Sequence, residues 1–92
     1  MSKTTKTVIV KYLLTGQDID VDIGQNDTVG MLKSKIENLL NIEFVKPPKL
    51  MIKKSDQRVA RILADMNQTI KDARIHTYDN IIISKTDVVG GQ

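Results

Sequence analysis

Four groups of residues in this chain could do chemistry. Asp18, Asp20 and Asp22 alternate with Ile19, Val21 and Ile23. Carboxylates this close could hold a divalent cation, because hard ions take oxygen ligands. A helix–loop–helix calcium site, however, carries its ligands on a loop, with a glycine and a terminal glutamate at set positions. Here the period is two, which puts the aspartates on one face of a strand and the apolar residues on the other. The better reading is a solvated outer face, and no metal site is expected. His76, the single histidine, lies between Asp72 and Asp79. A histidine near carboxylates becomes catalytic only with a nucleophile and a pocket. The chain has no cysteine, so it has no thiolate, no disulfide and no Cys-ligated zinc. His76 therefore reads as a surface residue, and neither a catalytic residue nor a cofactor is expected. The lysines are scattered. The last group is Gly90-Gly91, followed by Gln92. A glycine pair has no Cβ to collide with the walls of a narrow cleft, so an extended tail can thread one.

The totals exclude several classes. The chain has 92 residues, enough for one domain. Its net charge of +3 comes from 14 basic and 11 acidic residues, with no basic block. Only Tyr12, Phe44 and Tyr78 are aromatic, too few for a base-stacking platform, so no nucleic-acid partner is expected. No apolar run approaches a membrane span, and the opening MSKTTK is polar and basic, unlike a secretory signal. A soluble, monomeric intracellular protein with no membrane partner is the expectation.

The elements that must position these groups follow from periodicity. Residues 7–14 are β-branched and aliphatic and predict a strand. Thr15-Gly16-Gln17 predicts a turn, and residues 18–24 a second strand, together an antiparallel hairpin. Val29, Leu32, Ile36, Leu39 and Leu40 recur at helical spacing, with Thr28 as N-cap and Asp27 suited to the positive end of the helix dipole. Gly30 in the first turn costs a helix about 1 kcal/mol against alanine. The helix should end near Asn41. Pro47-Pro48 precedes a strand over 49–53. In 55–68, Val59, Ile62 and Leu63 predict a short strand or turn packed on the core. Residues 69–75 predict a helical turn, and 80–84 a last strand. The first and last strands, the most apolar, should lie centrally and parallel, with the helix over one face of an α+β sheet.

This series resembles ubiquitin over roughly residues 7–91. Ile9-Val10-Lys11 and Leu14-Thr15-Gly16 are similar to the family's first strand and turn, and Asp27-Thr28-Val29 to its approach to the helix. Leu32 to Ile42, with Lys33, Lys35 and Ile36, is similar to its helix. Pro47-Pro48 before Leu50-Met51-Ile52, then Thr69 to Ile83 without a gap, and finally Gly90-Gly91, complete the series. The resemblance implies a β-grasp fold with a mixed sheet of four or five strands and one helix. It divides the chain into a flexible tail at 1–6, a domain at 7–85 and a flexible tail at 86–92.

The resemblance also implies a function. In ubiquitin-like modifiers the last glycine is activated with ATP, passed to an enzyme cysteine and joined to a target lysine. Gly90 and Gly91 would be the conjugated end, and Gln92 a residue removed by a processing protease. The partners implied are activating and conjugating enzymes, that protease, ubiquitin-binding-type domains and target proteins, in the cytoplasm and nucleus. Leu14, Met51, Ile82 and Ser84 occupy the places of the family's partner-binding patch. Lys11, Lys33, Lys35 and Lys54 occupy places where further copies are joined, whereas Thr77 stands where the family has another such lysine. Three features depart from the family: Thr86-Asp87-Val88-Val89 replaces a basic tail, the first hairpin is longer, and Ser55 to Asn67 matches poorly. A never-conjugated interaction domain of a larger protein is the alternative, and a sulfur carrier of the same fold a further one.

Overall fold

A computed structural model describes residues 5–54 and 58–89. The chain opens with strands β1 (Thr5–Tyr12) and β2 (Gln17–Gly24), paired antiparallel in the register Val8↔Val21, Val10↔Ile19. Gly16 closes the turn at φ +74, a conformation side chains with a Cβ rarely adopt. Leu13 and Leu14, expected to end the strand, lie instead in this turn. Helix α1 (Val29–Leu40) follows, then β3 (Glu43–Phe44), β4 (Leu50–Lys53), β5 (Arg61–Leu63), β6 (Asn80–Ile83) and β7 (Val88–Val89). The main sheet has the order β2-β1-β6-β4-β5, with β1 and β6 parallel at its centre. That is the mixed five-stranded sheet expected of a β-grasp.

The helix forms where its stripe predicts. Val29, Leu32 and Ile36 are fully buried, each contributing roughly 1.5–3 kcal/mol through removal from water. Its first N–H groups, which a helix leaves unpaired, all find acceptors. The Val29 N–H donates to the Gln68 carbonyl and the Gly30 N–H to the Met66 carbonyl, each at 2.8 Å. The Met31 N–H donates to the Thr28 hydroxyl at 3.1 Å. The loop 66–68 thus seats the helix. Gly30 is needed there, because a Cβ would meet the Met66 carbonyl oxygen at 3.0 Å. At the other end Asn41 takes a left-handed conformation, φ 56, and its N–H reaches the Glu37 carbonyl.

Three expectations are corrected and one, for Asp27, is extended. Leu39 is 60% exposed, because it falls outside the arc that faces the sheet. Asp27 does more than face the helix dipole: its carboxylate accepts the Gly24 N–H at 3.0 Å. Val59 and Ile62 point to solvent, and of the three apolar residues there only Leu63 joins the core. The boundaries of the two tails also move. Thr5 and Lys6 are already strand, and Lys6 Nζ donates to the Ile75 carbonyl at 2.9 Å. At the other end β7 pairs antiparallel with β3, and Val88 is only 8% exposed. Val88 is held there opposite Phe44 and joins the buried core.

Candidate partner-binding face

The pleat sorts each strand into two sets. On β6, Ile81 and Ile83 are buried while Ile82 faces out. On β4, Leu50 and Ile52 are buried while Met51 faces out. Register then lines up the outward residues. Lys11 lies opposite Ile82, Ile82 opposite Met51, and Met51 opposite Ile62. Lys11 is in turn opposite Asp18. One row therefore crosses all five strands, running from apolar at β5 through Ile82 to a charged pair at β2.

The first turn extends this surface. Leu13 and Leu14 are 59% and 48% exposed. With Ser84 and Lys85 they line an open hollow of about 420 Å³. Of the residues placed in the patch by resemblance, Met51 and Ile82 are cross-strand neighbours, and Leu14 and Ser84 share the hollow. Leu13 and Ile62 are additions that residue type alone could not separate from core. Ser84 is also held from behind: its N–H and its hydroxyl both donate to the Asp87 carboxylate, at 3.1 and 3.0 Å.

The candidate acceptor lysines are all engaged. Lys11 pairs with Asp18 at 3.2 Å and Lys33 with Glu37 at 3.0 Å. Lys35 Nζ donates to the Asp22 carbonyl at 2.8 Å. Lys54 pairs with the buried Asp79 carboxylate at 2.6 Å and donates to the Arg74 carbonyl at 2.8 Å. Lys54 is thus part of the structure's frame. Glu37 is a second tie. Burial alone would push its carboxyl up, but the Phe44 N–H at 2.9 Å and the Lys33 ammonium outweigh that and hold it below the ordinary glutamate value. The His76 side chain is exposed, and it is the backbone N–H of this residue that donates to the Asp79 carboxylate, at 2.9 Å. Among the described residues no group of acids and histidines is arranged to hold a metal. Gly90, Gly91 and Gln92 lie outside the described residues.

No protein-family model matches the chain, and no curated protein matches its sequence. Solved structures do match. The ubiquitin-like domain from tubulin-binding cofactor B superposes with a TM-score of 0.76 at 14% identity, over 90% of this chain and 91% of that one. The C-terminal ubiquitin-like domain of mouse tubulin-specific chaperone e gives 0.65 at 17% identity, over 99% and 96%. The ubiquitin-like domain of an Arabidopsis thaliana protein gives 0.64 at 21% identity, over 94% and 77%. The fold is ubiquitin-like. At these identities the likeness carries the fold and leaves the role of each residue to the chemistry of this chain.

Proposed function

We propose that this ubiquitin-like domain works by being bound, through the outer face of its sheet. One observation carries the reading. Ile82, Met51 and Ile62 stand side by side on the solvent face of three adjacent strands, with Leu13 and Leu14 beyond them. The fold does not need these side chains to fill its core, so apolar atoms gathered there serve a contact. Met51 gives that contact an adaptable centre. The test compares partners retained from an extract of the source cells by the native protein and by Ile82→Asp, which leaves the core intact. Partners lost with Ile82→Asp support the reading. Partners retained equally by both would overturn it.

A finer reading is a modifier conjugated through Gly91 to target lysines after removal of Gln92. The glycine pair supports it, and so does the extended approach through Val88–Val89, where Val89 is half exposed. On this reading the buried Val88 sets a condition: a conjugating enzyme that needs a longer free tail must first peel β7 from β3. Intact mass in an ATP-supplied extract is the test. Loss of Gln92, then an adduct that thiol releases, supports conjugation. Persistence of the full mass, with no such adduct even for a form ending at Gly91, leaves the docking domain.

A further inference from the structure

Among the described residues no strand pairs with the outer edge of β2 in the main sheet. The backbone of β1 shows which of its groups are free. The Ile9 N–H donates to the Asp79 carbonyl and the Leu13 N–H to the Ile83 carbonyl, at 3.0 and 2.9 Å, and the Thr7 carbonyl accepts the Tyr78 N–H. The odd-numbered residues of β1 therefore bond toward β6, and the even-numbered ones toward β2. The residues opposite the odd set are Asp18, Asp20 and Asp22. Their own N–H and C=O groups consequently point away from β1, off the free edge of the sheet. The Gly24 N–H, next in that set, is already taken by the Asp27 carboxylate. The Asp22 carbonyl is taken by Lys35 Nζ. Among the described residues the N–H groups of Asp18, Asp20 and Asp22 and the carbonyls of Asp18 and Asp20 have no such cover. At the opposite edge of the sheet β5 has just three residues.

We infer that the edge of β2 is a docking site for an extended segment with lysine or arginine at alternate positions. A strand added there would pair with the outward backbone groups, and its side chains would alternate in phase with those of β2. On the outer face every second residue would stand over Asp18, Asp20 or Asp22. Asp18 is partly neutralised by Lys11, and Asp22 accepts the Thr7 hydroxyl at 2.6 Å. Asp20 has no ion pair among the described residues, so a basic residue opposite it gains most. On the inner side the intervening residues would meet the open hollow lined by Asp20, Val21, Asp22, Lys35, Asn38 and Leu39, where the exposed Leu39 offers an apolar contact. This gives the misplaced helix leucine a use. Like charges directly opposite destabilise a strand pair, so the same ladder refuses acidic strands and a second copy of β2 itself.

The probe is a short capped peptide of alternating lysine and valine, titrated into the labelled protein and read by amide shifts and hydrogen exchange. The expected result is slowed exchange at Asp18, Asp20 and Asp22. Asp20→Lys should weaken binding about fivefold, as reversal of one cross-strand pair implies, and should improve binding of the glutamate–valine peptide by a similar factor. Lys35→Ala frees the Asp22 carbonyl and should tighten binding. A peptide N-methylated on its pairing edge should not bind. Equal binding of the lysine and glutamate peptides would overturn the inference. So would shifts confined to Leu14, Met51 and Ile82, self-association through β2, or no protection at the three aspartates.

Discussion

Ile81 and Ile82 are adjacent on β6 and differ only in the face they occupy. Ile81 is fully buried between the sheet and α1, whereas Ile82 stands between Lys11 and Met51 on the solvent side. The same residue type therefore serves the fold at one position and a contact at the next. The two faces divide the work in this way along the whole sheet. The inner face is continuous from Val8 and Val21 to Leu63, whereas the outer face changes from acidic at β2 to apolar at β5. A graded outer face of this kind offers different chemistry to different partners while one core supports all of it.

The comparison breaks most visibly on truncation of the inner residue. Ile81→Ala leaves a cavity with no solvent to fill it, and should cost about 2–5 kcal/mol. Urea unfolding should show the midpoint fall with an unchanged slope. Gly30→Ala comes next. Alanine would gain about 1 kcal/mol of helix propensity, but its Cβ would press on the Met66 carbonyl oxygen, which is pinned by the Gly30 N–H. Relief requires lifting the helix from its seat, so the net effect should be a loss of about 1–2 kcal/mol. A gain in stability would show that the 66–68 loop yields freely.

Ile82→Ala should cost less than about 1 kcal/mol of stability, because it removes one half-exposed cross-strand contact with Met51. Its larger effect should appear in partner binding. A stability loss as large as that of Ile81→Ala would mean that the outer face belongs to the core, and would remove the case for docking there.

Much of this division was legible in the sequence. Strict alternation at Ile19, Val21 and Ile23 and helical spacing at Val29, Leu32 and Ile36 each point to one buried face, and the structure buries Val21, Ile23 and the three helix residues. Leu39 misled because it sits next to Leu40 at the edge of the stripe, where about 100° of rotation per residue carries a side chain from packed to exposed. Strand β7 was illegible for another reason. Two residues have no period, and Val88 is strand only because Phe44 lies opposite it, far away in sequence. Ile62 shows the limit of residue type: apolar character does not say which face of a strand a residue occupies. Of the candidate site, alternation alone could orient Ile82, whereas its neighbours across the sheet required the register.

The smallest effect concerns the seam where the helix end meets β3, at the margin of both faces. Glu37 there accepts hydrogen bonds from Lys33 and from the Phe44 N–H, and its carboxyl is held below the ordinary glutamate value. In the unfolded chain the same group titrates at that ordinary value. Above it the carboxylate is ionised in both states and its full contribution to stability is present. As pH falls through the ordinary value the unfolded chain takes up the proton first, and the contribution drains away until the folded carboxyl is protonated too. Glu37→Gln removes this component while keeping one acceptor for Phe44. The stability difference between native protein and variant should therefore be largest near about pH 7 and shrink toward about pH 3. Every other side chain is common to both proteins, so its contribution cancels in the difference. A difference that stays constant across that range would mean that the Glu37 tie depends on shape and not on charge.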